Sequence, residues 1–378
     1  MIHEAFYRNF RAIRNVTVPL RQLTVIVGPN ASGKTTILRG LQYLLERVRP
    51  GQSDAYFSGE RHPLLLSTRG TDGKTSVGVK SDSGTVSFEY QVPSGLSMES
   101  LHQAPPASPN WNFSVKCMPS RKSDWVELSQ APDFVRSLPE ARLLKLEPAR
   151  LASPSTPGLT TEIQESGEGL ASALWLLNAR DHDTLKRIEQ QLCTIIPSIR
   201  RIRFERVPTS VLQGMASQPA LGGMGGGFFG GGSQIGESLS FDTVAAKEVP
   251  VSCMSDGTLL VLGLLTVLHT TRSKLILLDD LEHGLHPKAQ REFVPLIREL
   301  LKSTPGLQIV ATTHSPYLVD VLEPEEVRIT TVTDRGDVQC STLDRHPDFA
   351  RWKDEMSPGE FWSAVGESWV AEQATAKQ

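Results

Sequence analysis

The chain has few cysteines, and they are not spaced as metal ligands or as a disulfide framework. Its 378 residues include four cysteines, and no two of them form a Cys-x-x-Cys pair. This pattern argues against a structural zinc site and against a small disulfide-stapled scaffold. We expect reduced, mostly buried thiols of a cytosolic protein. The four residues are Cys117, Cys193, Cys253 and Cys340.

Long apolar runs, a signal sequence and a strong net charge are also missing. The longest apolar run, 259–268, is far shorter than a membrane span, and the N-terminus lacks the basic and then apolar pattern of a secretory signal. The formal net charge of −3 gives no general positive field for nucleic acid, although a local patch stays open. No heptads persist between residues 35 and 254, so no long coiled coil is expected. These absences favour a soluble, cytoplasmic protein without a membrane partner.

What the chain does have is a phosphate-binding motif in a suitable local context. Residues 28–35 read GPNASGKT and fit GxxxxGK[S/T]. The apolar run 23–27 predicts a buried strand before the motif, and the helical spacing in 36–45 predicts a helix after it. The glycines let backbone N–H groups face phosphates, Lys34 can neutralise phosphate charge, and the Thr35 hydroxyl can ligate Mg²⁺. The motif predicts binding of a nucleoside triphosphate with Mg²⁺ through Gly28, Pro29, Asn30, Ala31, Ser32, Gly33, Lys34, Thr35 and Thr36.

Two carboxylates end a second predicted strand. Asp279 and Asp280 follow the apolar run 275–278. Buried strands often end in Asp, so the pair alone is a weak signal. After a phosphate loop, however, Asp279 is placed to hold the hydration shell of Mg²⁺, and Asp280 occupies the position where a general base would orient the attacking water.

Two further short motifs complete an ordered set. Ser255 precedes an apolar helix and can cap it, and the helix dipole with the Gly257 backbone can face phosphate oxygens; a simple helix cap is the alternative. His314 follows the buried strand 308–312, at the sheet edge where ligands gather in open α/β folds. A lone histidine there is usually structural, but its place in the set favours a functional role.

Together these motifs resemble those of the ABC-type ATPases of the SMC, RecF and OLD kind. The resemblance lies in Asn-Phe-Arg at 9–11, the phosphate loop, Ser-Asp-Gly-Thr-Leu at 255–259, the run 279–287 and Thr-Thr-His-Ser-Pro at 312–316. It covers both ends of the chain, and the middle matches only in general character. It implies an α/β fold, the ABC-ATPase head: a mostly parallel sheet flanked by helices, with an antiparallel β subdomain and a helical insertion.

In that family, two heads form a sandwich around two nucleotides. The resemblance implies that Gly33, Lys34, Thr35 and Asp279 hold MgATP within one subunit. Ser255 and Gly257 of the other subunit would then reach the γ-phosphate.

The resemblance also names candidates for the hydrolytic step. Asp280 and His314 become the catalytic candidates, and Glu282, two residues beyond Asp280, is a third. A dimer-contacting loop falls at 285–287. The glutamine-loop residue is not assigned, and Gln91 and Gln103 stay open.

The periodicities divide the chain into four segments. We predict an N-terminal ATPase lobe with the phosphate loop and antiparallel strands (1–135), a helical insertion with a glycine-rich loop (136–248), a C-terminal ATPase lobe (249–345) and a helical tail (346–378). Within them, we expect antiparallel strands at 76–80 and 85–92, a surface loop at 103–109, helices in 167–193, a flexible loop at 222–232 and C-terminal helices in 347–370.

Two functions fit these observations. In the first, the chain is the ATP-gated switch subunit of a bacterial anti-phage defence complex, a homodimer through the ATP sandwich with higher oligomers left open. A separate effector such as a nuclease is expected, because only about 60 residues follow the His314 region, too few for the nuclease domain of OLD-like relatives.

The alternative is a RecF-like DNA-binding repair ATPase. It rests on the basic segment 199–207, whose alternation also fits a strand with one solvated face. A transporter ATPase is disfavoured because the signature reads Ser-Asp-Gly-Thr rather than Ser-Gly-Gly-Gln. The basic residues of the segment are Arg200, Arg201, Arg203 and Arg206.

We predict slow ATP hydrolysis, with binding as the main event. The family commonly has Glu where this chain has Asp280, and the shorter side chain moves the carboxylate by about 1–1.5 Å, a displacement that can lower a rate about 100-fold. RecF-like members also carry this second Asp, so hydrolysis need not be lost. Steady-state phosphate release should give a kcat below roughly 10 s⁻¹, the median for enzymes. A higher kcat would contradict the prediction.

Overall fold

The computed structural model describes residues 1–49, 62–68, 73–91, 113–120, 124–209, 234–271 and 273–375. The loops predicted at 103–109 and 222–232 lie outside the described residues, and so does Gln103. The chain forms two compact units. The first comprises Met1–Leu143, Ser273–Glu282 and Gln290–Gln378, and the second comprises Leu144–Arg272 and His283–Ala289. The four segments predicted from the sequence divide the chain differently and stay a prediction.

A mostly parallel six-stranded sheet carries the phosphate-binding loop. Four of its strands run parallel to one another, and the edge strand 338–342 is antiparallel to its neighbour 327–332. The strands predicted at 23–27, 275–278 and 308–312 are confirmed, and every residue in them is buried, as expected for strands covered on both faces. In spatial order the strands are β15 (Val338–Thr342), β14 (Val327–Val332), β3 (Leu23–Val27), β13 (Gln308–Thr312), β12 (Leu275–Leu278) and β8 (Ala141–Leu144).

An antiparallel sheet in the first unit confirms the predicted β subdomain. The strand predicted at 76–80 is described as Thr75–Ser81, and that predicted at 85–92 is Gly84–Tyr90, with residue 92 outside the described part. In spatial order the strands are β2 (Ile13–Pro19), β1 (Ile2–Phe10), β4 (Thr75–Ser81), β5 (Gly84–Tyr90), β6 (Ser114–Pro119) and β7 (Val126–Glu127).

Helix α1 (Lys34–Arg47) fills the core between these strands with its apolar face, as its spacing predicts. The helices predicted in the C-terminal region are also present, and Phe361, Trp362 and Trp369 are buried. Within the described ranges, no helix is long and apolar enough to cross a membrane. The other helices outside the middle of the chain are α2 (Pro63–Leu66), α3 (Pro132–Ser137), α8 (Pro287–Ser303), α9 (Pro316–Val319), α10 (Phe349–Trp352), α11 (Pro358–Val365) and α12 (Ser368–Thr375).

The second unit is helical, as predicted, but it also contains a small sheet that the sequence pattern did not reveal in full. The strand predicted at 199–207 pairs with the long strand 234–243. In that strand the apolar residues Ile235, Leu239 and Phe241 alternate with other residues, but Glu237 interrupts the pattern. Its elements are α4 (Pro148–Leu151), α5 (Leu170–Arg180), α6 (His182–Ile195), β9 (Ile199–Thr209), β10 (Gln234–Thr243), β11 (Val249–Pro250) and α7 (Asp256–Thr270).

All four cysteines are free thiols, but they differ in exposure. The prediction of mostly buried thiols holds for Cys117 and is wrong for Cys253, which is exposed. Cys253 lies directly before the start of α7, where the chain approaches the surface. At Cys340, burial raises the pKa of the thiol to about 12, so this group stays protonated at neutral pH.

Replacing Gly40 with alanine is expected to destabilise the protein, because a Cβ there collides with the ring of Tyr7 on β1. The Tyr7 hydroxyl donates to the carbonyl of Ile37 at 2.8 Å, which holds the ring in place. Denaturant unfolding of Gly40→Ala should show a loss of about 1–3 kcal/mol, typical of overpacking. In a Tyr7→Ala background, most of this loss should disappear, because the remaining close contact of the added Cβ is the ring of Phe10 at 3.2 Å, and alanine favours helices. If Gly40→Ala stabilised the otherwise wild-type protein, the contact with the Tyr7 ring would not be what requires glycine at this position.

Candidate functional site

The loop between β3 and α1 has the backbone shape of an anion cradle. Gly28 has φ +146°, Ala31 φ +62° and Gly33 φ +89°. Residues with positive φ spaced along a loop can turn neighbouring N–H groups toward one concave side. A Cβ at Gly28 would also collide with the carbonyl oxygen of Thr330, so only glycine fits there. The local sequence therefore builds a site that can bind phosphate oxygens at the N-terminus of α1.

The loop is fastened to the neighbouring strand β14. The Thr330 hydroxyl donates to the carbonyl of Val27 at 3.0 Å and therefore accepts from the Ser32 hydroxyl at 2.7 Å. The Ser32 side chain is fully buried. Its hydroxyl thus supports the loop, and its backbone is the part available for a ligand.

Lys34, the first residue of α1, is buried and folds back over the loop. Its ammonium group donates to the carbonyls of Gly28 at 2.9 Å and Pro29 at 2.8 Å. Burial lowers the pKa of Lys34, and nearby carboxylates, first among them Asp280, oppose that shift. Both acceptors are neutral carbonyls, so a phosphate group at the cradle would be a stronger partner for this cation.

The Thr35 hydroxyl lies 3.0 Å from both carboxylate oxygens of Asp279 and donates to them. Asp279, at the end of β12, is only 7% exposed and also accepts from the Thr312 hydroxyl at 2.7 Å. A hydroxyl beside a carboxylate is the oxygen donor set that fits Mg²⁺, which usually takes one or two carboxylates and completes its shell with water and phosphate. Nowhere in the described ranges do three or more His, Cys, Asp or Glu side chains form a metal cluster.

Asp280 stands next to this pair in a left-handed conformation, with φ +57°. Its N–H donates to the Thr312 hydroxyl at 2.8 Å, so one hydroxyl fixes both carboxylate residues. Aspartate is among the few residue types that tolerate this conformation. The conformation leaves the side chain partly exposed beside the buried Asp279.

Glu282 bonds to the segment that carries His314. One carboxylate oxygen accepts from the Thr313 hydroxyl and the other from the His314 N–H, each at 2.7 Å. The His314 residue is exposed, so its ring is accessible at the carboxyl end of β13. The first unit therefore brings together the phosphate loop, Asp279, Asp280, Glu282 and His314.

Ser255 and Gly257 belong to the second unit, at the N-terminus of α7. The Ser255 hydroxyl accepts from the Thr258 N–H at 3.3 Å, which confirms the predicted helix cap. A Cβ at Gly257 would lie 2.7 Å from the carbonyl oxygen of Gly284, so close packing requires glycine here. A cavity of about 490 Å³ opens beside these residues and is also lined by Ile196. The cap and a phosphate contact are compatible, because the helix N-terminus stays open.

The basic residues of β9 are partly used within the second unit. Arg203 pairs with Asp242 at 2.7 Å, and the Arg206 guanidinium lies 5.5 Å from the ring centroid of Trp175. Arg200, Arg201 and Arg206 are exposed, and Arg203 is half-buried. The strand thus offers a smaller free basic patch than its sequence indicates.

Sequence reasoning did not assign a role to three threonines. Thr312 and Thr330 fix Asp279 and the phosphate loop, and Thr313 bonds to Glu282. Thr312 and Thr313 stand within a recognised motif, but no spacing rule distinguishes a supporting hydroxyl from an ordinary strand threonine. Their partners are far away along the chain.

Two family models match the chain. The model described as "AAA domain, putative AbiEii toxin, Type IV TA system" matches residues 138–320. The model described as "AAA ATPase domain" matches residues 1–83.

Curated relatives include an OLD nuclease of Thermus scotoductus, 24% identical over 87% of this chain and 62% of the relative. The Septu protein PtuA of Bacillus thuringiensis is 39% identical over 18% of this chain and 17% of its own. The chain thus spans less than two thirds of the length of either relative.

Among solved structures, an SMC head bound to the C-winged helix domain of ScpA superposes with a TM-score of 0.54. It is 14% identical, and the match covers 92% of this chain and 99% of that chain. An SMC head domain bound to the C-terminal domain of ScpA from Pyrococcus furiosus gives 0.51 at 12% identity, with 94% and 99% covered. These likenesses establish the fold.

Replacing Thr312 with valine should weaken both folding and nucleotide binding. Valine keeps the branched shape of the threonine side chain but lacks the hydroxyl that bonds to Asp279 and Asp280. We expect a loss of about 1–3 kcal/mol in unfolding free energy, typical of leaving buried polar groups unsatisfied. Titration with a fluorescent ATP analogue and Mg²⁺ should show weaker affinity.

Thr331→Val is the matched control, because Thr331 is a buried threonine on strand β14 of the same sheet and makes no side-chain hydrogen bond to the described residues. It should change neither the free energy of unfolding nor the affinity for the ATP analogue appreciably. Equal behaviour of the two variants would show that the Thr312 hydroxyl does not organise the site.

Proposed function

Because the chain is an ABC-type ATPase head of the SMC, RecF and OLD kind, we propose that two copies bind two MgATP molecules between them. ATP-driven pairing then acts as a switch for a separate effector protein. The observation that supports this most strongly is the contact of Thr35 with both carboxylate oxygens of Asp279, directly beside the phosphate cradle.

In this proposal, the backbone N–H groups of residues 30–36 bind the phosphates, with Gly28 and Pro29 shaping the start of the loop. Lys34 turns from its two carbonyls to the phosphate oxygens. Thr35 and Asp279 hold Mg²⁺, which neutralises phosphate charge when it is bound. The other side of the nucleotide comes from the second copy. Ser255 and Gly257 there present an open helix N-terminus, which suits an anionic γ-phosphate.

We further propose that Asp280 orients the attacking water and that hydrolysis is slow. Its short side chain lies in a fixed left-handed turn, so it has little freedom to reach further. His314 is exposed at the same edge of the sheet and is the candidate contact for the γ-phosphate. Slow hydrolysis suits a switch, because the paired state then persists.

We infer that the proposed switch acts in anti-phage defence. It is supported by the likeness to Septu protein PtuA and by the longer likeness to an OLD nuclease. The effector, for which a nuclease is the leading candidate, would be a separate chain. A RecF-like role in DNA maintenance is less favoured, because Arg203 is paired with Asp242 and the exposed Arg206 lies over the ring of Trp175.

The proposal predicts that ATP controls the oligomeric state. Light scattering behind size-exclusion chromatography should show the mass doubling with MgATP for Asp280→Asn, which binds ATP but hydrolyses it poorly. Lys34→Ala should lose the ATP effect, because it lacks the phosphate-binding cation.

The wild-type protein should pair with ATP and separate as ATP is consumed. The effector should co-purify from native extracts with Asp280→Asn in ATP but less with Lys34→Ala. An unchanged mass for Asp280→Asn with saturating MgATP would contradict the sandwich, and failure to recover any protein would count against a separate effector.

A further inference from the structure

The segment that follows β12 is tied to the segment that follows β13 by a series of hydrogen bonds. The Leu281 N–H donates to the carbonyl of Thr312 at 2.9 Å, and the next residue, Glu282, extends this contact with its side chain. Its two carboxylate oxygens accept from Thr313 and His314, each at 2.7 Å. The Glu282 carboxylate therefore replaces a ladder hydrogen bond where regular pairing between the strands has ended.

We propose that Glu282 is a positioning residue that holds His314 in place, and that it is not a second general base. This rests on the proposed ATPase function and deepens it. A general base must take up a proton from the attacking water. Protonation of this carboxylate would weaken two hydrogen bonds made to its charged form, one of them to a backbone N–H that can only donate.

The bonds on the far side of His314 support the same role. The Ser315 N–H donates to the Thr313 hydroxyl at 3.1 Å, and the Ser315 hydroxyl donates to the buried side chain of Gln290 on α8. The backbone is thus held immediately before and after His314, while the imidazole itself is exposed. A backbone fixed on both sides determines where an exposed ring can reach.

The same frame relates His314 to the two aspartates. Thr312 bonds to Asp279 and Asp280, and Glu282 bonds to the two residues that follow Thr312. Together these bonds fix the position of the His314 backbone relative to Asp279 and Asp280. Because a displacement of about 1 Å at a reacting centre can lower a rate about 100-fold, losing the Glu282 bonds should matter for turnover.

Two substitutions separate a positioning role from a base. In Glu282→Gln, the amide oxygen can accept from His314 and the amide N–H₂ can donate to the Thr313 hydroxyl, so the clamp is largely kept. In Glu282→Ala both bonds are lost. We expect Ala to lower kcat by about 10–100-fold with little change in KM, and Gln to stay within about fivefold of wild type with the same pH–rate profile.

The loss caused by Glu282→Ala should disappear in a His314→Ala background, because the residue to be positioned is then missing. Glu299→Ala is the matched control, since Glu299 is exposed on α8 and lies outside the hydrogen-bond frame. It should behave as wild type. Equal loss in Gln and Ala, or a loss that persists without His314, would overturn the inference.

A measurement without nucleotide tests the contact independently of hydrolysis. Amide hydrogen exchange in a peptide covering 312–316 should be about tenfold faster in Glu282→Ala and close to wild type in Glu282→Gln. Unchanged exchange in the Ala variant would overturn the inference. Absence of any ATP hydrolysis by the wild-type protein would instead count against the proposed hydrolytic function, and the exchange result would still decide the role of Glu282 as a clamp.

Discussion

The site depends on the buried carboxylate of Asp279, which accepts from hydroxyls on two different elements. Thr35 reaches it from the first turn of α1, and Thr312 reaches it from β13. A carboxylate that is 7% exposed needs such partners, because an unpaired buried charge is strongly unfavourable. Folding of the parallel sheet and assembly of the donor set for Mg²⁺ are therefore the same event. Binding of a cation there replaces hydrogen bonds to the carboxylate with stronger ionic contacts.

Two further polar side chains of the first unit hold segments near this carboxylate. Thr330 supports the phosphate loop from β14, and Glu282 supports the segment at His314. Each support is a polar side chain that bonds to a segment distant along the chain, outside the backbone ladder. Asp280 sits within the frame in a left-handed conformation, which limits how far its carboxylate can move. A short carboxylate held in this conformation is consistent with the slow hydrolysis proposed above.

The local features of this frame were predictable from sequence, and the long-range ones were not. The strand at 23–27, the loop and α1 follow one another along the chain, so periodicity and glycine spacing indicate them directly. The pairing of Ser32 with Thr330 joins residues 298 positions apart and depends on strand order, which no local pattern encodes. The conformation of Asp280 was missed because aspartate, unlike glycine, does not mark a positive φ. Strand β10 was missed because Glu237 falls at a position where the alternation calls for an apolar residue, which leaves only a short regular stretch.

The central claim, that each ATP site is built from two copies, is tested most directly by mixing two inactive variants. Lys34→Ala disables the phosphate loop. Ser255→Arg blocks the signature segment 255–259, so neither homodimer has a working site. In a mixed dimer, one site combines an intact loop with an intact signature. The account predicts that an equimolar mixture recovers about a quarter of wild-type ATP turnover, since half of randomly paired dimers are mixed and each has one good site. A mixture as inactive as its components, or full activity of Ser255→Arg alone, would contradict it.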